Sequence, residues 1–496
     1  MFLESYRFGE RAVADGERIR RIFVMRCAVS LGICFIAGLL LLLFPITSGA
    51  TSYRYVWSGG DNSTGVDWTH AYTAPRPAAS WARDTVYYFA TDDLTGVDIT
   101  ISAAADGTKG ITLKKCKAGD SVCTAAAGWH ASTMDNGPTQ FAYLYITTDY
   151  VTLDGTSRTN NKTGHGFKLM GAGNSSYNVV DTDSAGGKTH ITIQFCEITS
   201  TGTPYVEKHT AVYLFGTNHI VAYNYVHHLN GFLVMGGSGH SIHDNYFAYN
   251  RSWTGWHSGG MYVQYGDSDY AIYNNVWQDV EGSGIINLRS NSNVKIYNNV
   301  MFQSSNPEPR TDGDGITHPF GGTGMIQELA TSGNSDAVLF YGNTISNIYR
   351  GQNGLVNTFN GSTRWTNFSV KNNIWWCDPA QIPNGESCSA VSYSQCAADT
   401  CHDYNWYSEG IKQAETHSQS ETSSVCPFVD ENGLSDWRLV SSSLARGRAV
   451  DLGSRYNIDI LGISRPQGAA WDIGAYEYVQ GGDTTPPAAP SGLTVN

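Results

Sequence analysis

Ala271-Ile-Tyr-Asn-Asn-Val-Trp277 and Val294-Lys-Ile-Tyr-Asn-Asn-Val-Met-Phe302 share one pattern: apolar residues on alternate positions, then an Asn pair, then a second apolar pair. Alternation with a period of two marks a half-buried strand, and Asn, Gly, Ser and Asp clusters between such runs mark turns. The pattern recurs as Ile191-Thr-Ile-Gln-Phe-Cys-Glu-Ile198, Ile220-Val-Ala-Tyr-Asn-Tyr-Val226, Ser241-Ile-His-Asp-Asn-Tyr-Phe247, Val338-Leu-Phe-Tyr-Gly-Asn-Thr-Ile345 and Ser369-Val-Lys-Asn-Asn-Ile-Trp-Trp376. The equivalent positions Cys196, Asn224, Asn245, Asn275, Asn299, Asn343 and Asn373 are separated by 28, 21, 30, 24, 44 and 30 residues. An irregular period of this size is expected when loops of different length decorate a repeat.

A second strand signal precedes most copies: Ala211-Val-Tyr-Leu214, Gly231-Phe-Leu-Val234, Gly260-Met-Tyr-Val263, Gly284-Ile-Ile-Asn287 and Gly324-Met-Ile-Gln327. Each repeat thus holds at least two short strands around a sharp bend. One such turn cannot bury its apolar side alone, but stacking turns about 4.8 Å apart as parallel strands builds a continuous core. The fold predicted is all-β, a right-handed parallel β-helix, with the repeated Asn forming an amide ladder at one bend.

These φ-x-φ-x-N-N-φ repeats, over about 150–380, resemble those of the pectate-lyase-like superfamily of secreted right-handed parallel β-helix proteins. The stretch from Asp436-Trp-Arg-Leu439 through Asp459-Ile-Leu-Gly-Ile-Ser-Arg-Pro466 to Asp472-Ile-Gly-Ala-Tyr-Glu-Tyr478 is similar to the closing segment of many such bacterial proteins. The expected organisation is a signal peptide or membrane anchor at 1–50, a cap and first coils at 51–149 and repeats at 150–380. A Cys-rich loop and closing segment follow at 381–480, then a Pro/Gly/Thr linker at 481–496. The end of the linker is similar to the first strand of a fibronectin type III module, which implies a truncated module.

Residues 27–45 form an uncharged run close to a membrane span in length, with Arg18, Arg20, Arg21 and Arg26 before it and small residues Ser48 and Ala50 after it. Export is expected, either by cleavage after Ala50 or through an uncleaved anchor, with Met25 as an alternative start. The mature region is then extracellular or at the cell surface, touching the membrane only through this segment. The remaining eight of ten cysteines suit local disulfide staples. Acidic residues outnumber basic ones 44 to 31, for a net charge of −13. With no basic cluster after residue 26, a nucleic-acid partner is excluded on electrostatic grounds. The sequence does not fix an oligomeric state.

Stacked coils bring equivalent positions into columns, so chemistry is sought where titratable residues recur at one offset. Three residues before each second strand stand Lys208, His228, His257 and Glu281, with Asp312 next if Asp314-Gly-Ile316 opens the following strand. Unpaired charge of this kind is costly to bury, so the column belongs outside the core. His209, His227, Asn230, Trp256 and Tyr265 lie nearby, and the aromatic rings suit stacking on sugars. These features point to a groove for a polysaccharide or cell-surface glycan. A lyase or epimerase on a uronate would use His257 or His228 as base, with Lys208 or Arg289 assisting. Ca2+ would be the cofactor, held by Glu281, Asp312 and Asp314. A hydrolase would pair Glu281 with Asp312 as its two carboxylates. The alternative from another class is a non-catalytic adhesive protein, since fold alone does not dictate function. Resemblance to polygalacturonase-like hydrolases reduces to Gly164-His165-Gly166, and the pectate lyase Trp-Ile-Asp-His signature is absent.

Overall fold

The structure is a computed structural model describing residues 51–481, except 76–79, 172–177, 183–186, 201–209, 251–258, 265, 308–309, 312–316, 319–322, 330–332, 350–355, 359–364, 383–385, 394–395, 397–399, 423–424 and 431. The export segment expected at 1–50 and residues 482–496 of the linker lie outside the described residues. The chain divides after Thr51, and the fold below is that of the unit from Ser52 onward. Among the described residues no helix is long and apolar enough to cross a membrane.

The second unit is a right-handed parallel β-helix whose coils contribute strands to three faces. On the first face Val151–Asp154 pairs with Ile191–Gln194, followed by Ile220–Ala222, Ser241–His243, Ser268–Tyr273, Ser292–Tyr297 and Ser335–Tyr341. The second face stacks Phe167–Leu169, Cys196–Ile198, Tyr225–His227, Tyr246–Ala248, Val276–Gln278, Val300–Phe302, Thr344–Ser346 and Ile374–Trp376. The third stacks Asn178–Thr182, Thr210–Thr217, Gly231–Ser238, Gly259–Val263, Gly284–Leu288 and Gly324–Glu328. Ser52–Val56, Thr85–Phe89 and Ile111–Lys115 stack in register onto Val151–Asp154, so the ladder runs through residue 150 without a break.

Register converts the period-two pattern into a core. Ile193, Val221, Ile242, Ile272, Ile296 and Phe340 occupy one inward column and are fully buried. Each such side chain contributes about 1.5–3 kcal/mol by leaving water. The bend after the first face explains the Asn pair. Asn274, Asn298 and Asn372 take left-handed backbone, with φ of 55°, 52° and 60°, which Asn accepts more readily than bulky residues. The second Asn of each pair turns inward. Asn275 Nδ2 donates to Asn299 Oδ1 at 3.0 Å and to Ile242 O at 2.9 Å, while its Oδ1 accepts from Asn245 N and Nδ2 at 3.1 and 3.0 Å. The same bonds run from Asn224 to Asn405, and Cys196 begins the column by donating its N–H to Asn224 Oδ1. Beyond Asn405 the buried Glu415 carboxylate accepts from Asn405 Nδ2 at 2.9 Å and ends the ladder.

The closing segment lays Trp437, Leu439, Trp471 and Ile473 on the outer side of the second face, against Val300, Phe302, Ile374, Trp376 and Trp406. Its Arg465, buried, donates to Asp472 O and Gly474 O at 2.8 Å and pairs with Glu477 at 3.4 Å, which accounts for the Arg-Pro and Asp-Ile-Gly elements of that stretch. Disulfides join Cys116 to Cys123, Cys377 to Cys388 and Cys396 to Cys401, all local staples, and Cys196 is a buried thiol. Three such bridges are consistent with an oxidising, extracellular setting.

Candidate functional site

A second bend joins the second face to the third. His228, Tyr249, Asp279 and Asn347 hold it with φ of 56°, 58°, 49° and 53°. His228 N–H donates to Ala248 O, and Tyr249 N–H to Gln278 O, so these residues stack as successive rungs. Unlike the Asn bend, each rung carries a different side chain.

At the His228 rung the outward residues of the second face meet the bend. Lys168, Glu197 and Tyr225 share one outward column, and Thr199 and His227 stand one step further along. Lys168 Nζ lies 2.6 Å from Glu197 Oε1, and His227 Nε2 lies 3.4 Å from the same oxygen. On its other side His227 Nδ1 is 2.6 Å from His228 Nδ1 and 3.3 Å from Thr199 Oγ1. The His227 ring stacks on Tyr225 with centroids 4.0 Å apart. Burial alone would raise the Glu197 carboxyl, but hydrogen bonds from His227 and Lys168 outweigh it and bring the pKa to about 2. Burial lowers the pKa of His227, with Glu197 opposing.

Residues 155–166 form a strap across the neighbouring coils. Arg158 Nη1 donates to Asp244 O at 2.7 Å with its guanidinium 5.3 Å over Tyr223, and Lys162 reaches Gln278 Oε1 at 3.2 Å while lying 4.5 Å over Tyr246. His165 of the Gly-His-Gly tripeptide is a buried residue of the strap, its pKa pushed down to about 4 by burial and then by Arg158.

Beyond the bend, Asn250 is a fully buried clamp. Its Oδ1 accepts the Glu281 N–H at 2.6 Å, and its Nδ2 donates to Asn230 O at 2.9 Å and Gly259 O at 3.2 Å. Asn230 and Glu281, two coils apart, are thereby fixed at the entry to the third face. Along that face run Tyr145, Asp181, Tyr213, Val234, Tyr262, Asn287 and Gln327 as one outward column. Asn287 folds back to donate to Met261 O at 3.1 Å and Gly284 O at 2.8 Å. A Cβ at Gly259 would come within 2.7 Å of the Asn287 amide, and one at Gly324 within 2.6 Å of the Gln327 amide, so the strand-opening glycines make room for these amides. Arg289 stands at the far end of the face, its guanidinium 5.5 Å over Tyr262.

Of the residues singled out in the sequence, the structure places His228 at the bend, Asn230 and Glu281 just past it, and Arg289 across the width of the third face. Lys208, His257, Trp256, Tyr265, Asp312 and Asp314 lie outside the described residues. Among the described residues no three His, Cys, Asp or Glu side chains converge as metal ligands. The register corrects the offset by which the column was counted. The openers on one rung are Thr210, Gly231, Gly259, Gly284 and Gly324, so counts from Ala211 and Gly260 are one residue out, and the opener after Gly284 is Gly324 rather than Gly315. The adjacent glycines at 259 and 260 made the count ambiguous. Sequence reasoning passed over Lys168 and Glu197. Projecting the alternation outward from Cys196 and Asn224 would have put Glu197 beside Tyr225.

No family model matches the chain, and no curated protein matches its sequence. Among solved structures the chain is similar to pectate lyase Pel9A, at 14% identity and a TM-score of 0.42 over 86% of this chain and 97% of that one. It is also similar to XylC, solved with xylose, at 11% identity and a TM-score of 0.46 over 86% of this chain and 98% of that one. Both are likenesses of shape, and the fold described above rests on the strand register.

Proposed function

We propose that this chain is an extracellular polysaccharide-active β-helix that acts on an acidic polysaccharide as a lyase or epimerase, with His228 as the base. The observation that carries the reading is the contact chain from Lys168 through Glu197 and His227 to His228, because it couples a strongly ionised carboxylate to an imidazole at the edge of an outward face. In this reading the polymer lies along the third face, where the partly exposed Tyr213 and Phe215 offer aromatic surface. The coil spacing of about 4.8 Å is close to the length of one sugar residue, so successive rungs meet successive sugars.

A base removes the proton beside the uronate carboxylate. A lyase then expels the neighbouring glycosidic oxygen, and an epimerase returns a proton from the opposite side. Both need the carboxylate neutralised. Lys208 is the cationic candidate, with Arg289 gripping sugar at the far edge of the face, and Glu281, Asp312 and Asp314 are the oxygen ligands for Ca2+. His257 is the second imidazole in this reading, and Trp256, Tyr265 and Asn230 bind sugar.

The test is absorbance from unsaturated uronate on incubating the mature region with alginate, pectate or glycosaminoglycans, with and without Ca2+, alongside NMR of the recovered polymer for inverted centres. Turnover abolished by His228→Asn supports the reading. No new double bond, no inverted centre and no reducing ends on any polymer would sink it in favour of an adhesive protein. Reducing ends without unsaturation would indicate a hydrolase.

A further inference from the structure

We propose that the closing segment carries a second binding site, a cleft for one carboxylated sugar held by Arg446 and Arg448. It stands apart from His228. Gly474 N donates to Asn372 O at 2.7 Å and Ala475 N to Thr344 Oγ1 at 3.0 Å, which puts the segment on the coils of Asn343 and Asn373. Stepping along the ladder from Asn224 through Asn245, Asn275 and Asn299 to Asn343 is four coils, about 20 Å along the axis. The cleft has a volume of about 370 Å³. Two buried carboxylates tie its walls together. Asp472 accepts the Gly447 N–H through one oxygen and the Tyr478 N–H through the other, both at 2.6 Å. Glu477 accepts the Gln467 N–H at 2.8 Å and pairs with Arg465 at 3.4 Å. The cleft is thereby preformed, and these carboxylates are committed to groups of the wall.

Arg446 and Arg448 flank the anchored Gly447, and both line the cleft. The Arg446 guanidinium lies 3.7 Å over the Tyr478 ring and donates through Nη1 to Ser441 O, so its plane is fixed. Arg448 is exposed and makes no hydrogen bond or ion pair among the described residues. In a chain of net charge −13, an uncommitted guanidinium in a shaped cleft is a place for an anion. The paired N–H groups of a guanidinium match the two oxygens of a carboxylate. Volume sets the rest of the ligand. Small-molecule pockets run from about 300 to 1,000 Å³, so this one takes a single sugar ring and is too large for a bare inorganic anion to fill. The Gln480 amide and the side-chain oxygen of Gln467, whose Nε2 donates to Ser464 O, are placed for hydroxyls, and Ala469 and Ala470 give an apolar wall for the C–H face. A site here anchors an acidic chain without touching the reacting bond.

The test is titration of the full mature chain with uronate trimers made from pectate and from alginate, followed by calorimetry and by the arginine Nε–H signals of protein labelled with 15N at arginine. A neutral galactose trimer and sodium sulfate are the comparisons. The expected result is saturable binding of a uronate trimer that shifts the Arg448 signal, identified by its loss in Arg448→Ala. That variant, at an exposed position, should weaken binding about tenfold or more. Arg448→Lys, which keeps the charge but not the fork, should weaken it about threefold. His228→Asn should leave it unchanged. No uronate binding, binding unaltered in Arg448→Ala, or sulfate or the neutral trimer binding as tightly as the uronate would each overturn the proposal. Arg448-dependent binding without turnover of any polymer keeps the cleft and removes the lyase or epimerase reading, and turnover without such binding does the reverse.

Discussion

The two bends of the coil use the same backbone device and opposite side-chain strategies. At the bend after the first face, left-handed residues are followed by Asn on rung after rung, each amide bonded to the next. At the bend after the second face, left-handed residues again turn the chain, but the rungs read His228, Tyr249, Asp279 and Asn347. A stack of equivalent positions is thus an opportunity of two kinds: identical residues make a cooperative structural element, and non-identical ones bring together groups from distant sequence. The Asn bend points inward and is buried, whereas the His228 bend faces out beside partly exposed Lys168, Glu197 and His227.

The sharpest way to break the comparison is to exchange the strategies. His228→Asn puts at the second bend the residue type that already holds left-handed backbone at the first, so the fold should survive with its melting temperature nearly unchanged. Turnover on the responsive polymer should fall about 10²- to 10⁴-fold, the range for loss of a general base. A variant equally active would show that the non-identical bend is only a decorated corner.

Asn275→Ala tests the other side. It leaves the Asn245 N–H without its acceptor and the Ile242 carbonyl without its amide donor, both in the core. At about 1–3 kcal/mol for each orphaned group, the loss should be about 3 kcal/mol, read as a lower denaturant midpoint. An unchanged midpoint would mean the ladder follows from the stacking rather than supporting it.

The ladder was legible in the sequence because repetition of one residue survives irregular loops. Seven of its members were named from the pattern, and the eighth, Asn405, was missed since its coil reads His402-Asp-Tyr-Asn-Trp-Tyr407, with Tyr404 taking the left-handed position at φ 58°. Glu415 as the terminal acceptor gave no signal, because an end occurs once. The candidate site was less legible for the same reason. His228 was reached by counting from the third face, but Glu197 and Lys168 belong to the second face; the repeat alignment could have set Glu197 beside Tyr225, whereas Lys168 precedes the first aligned repeat and only strand register makes it their neighbour. Convergence of unlike residues leaves no periodic trace.

Histidines sharpen the contrast in a third place, the bend leading from the third face back to the first. His219 Nδ1 accepts the Ile191 N–H at 3.2 Å and His240 Nδ1 accepts the His219 N–H at 3.1 Å, so both rings are neutral structural acceptors, as the amides are. Burial pushes their pKa values down to about 4 and about 3. The unfolded chain, with ordinary histidine values near 6.5, binds protons first as pH falls. Stability is therefore full above about pH 6.5 and lost progressively as pH falls toward about 3. A melting temperature that falls over this window, and falls less in His240→Gln, would confirm the assignment. A flat profile would place these rings in contact with solvent.

The smallest expected effect separates the two members of the Asn pair. Asn275 acts through its amide, but Asn274 acts through its backbone: its φ is 55° and its side-chain carbonyl is buried with no hydrogen-bond partner among the described residues. Asn274→Gly should accordingly be close to neutral, since glycine takes left-handed backbone without strain. Asn274→Ala should cost about 1 kcal/mol, the strain of an ordinary L-residue there. Measured side by side with Asn275→Gly, which keeps the backbone freedom but deletes the ladder amide, the series assigns conformation to the first Asn and hydrogen bonding to the second. If Asn274→Gly proved as damaging as Asn275→Gly, the pair would be acting as one unit, and the division between a bend that turns the chain and a column that bonds it would have to be redrawn.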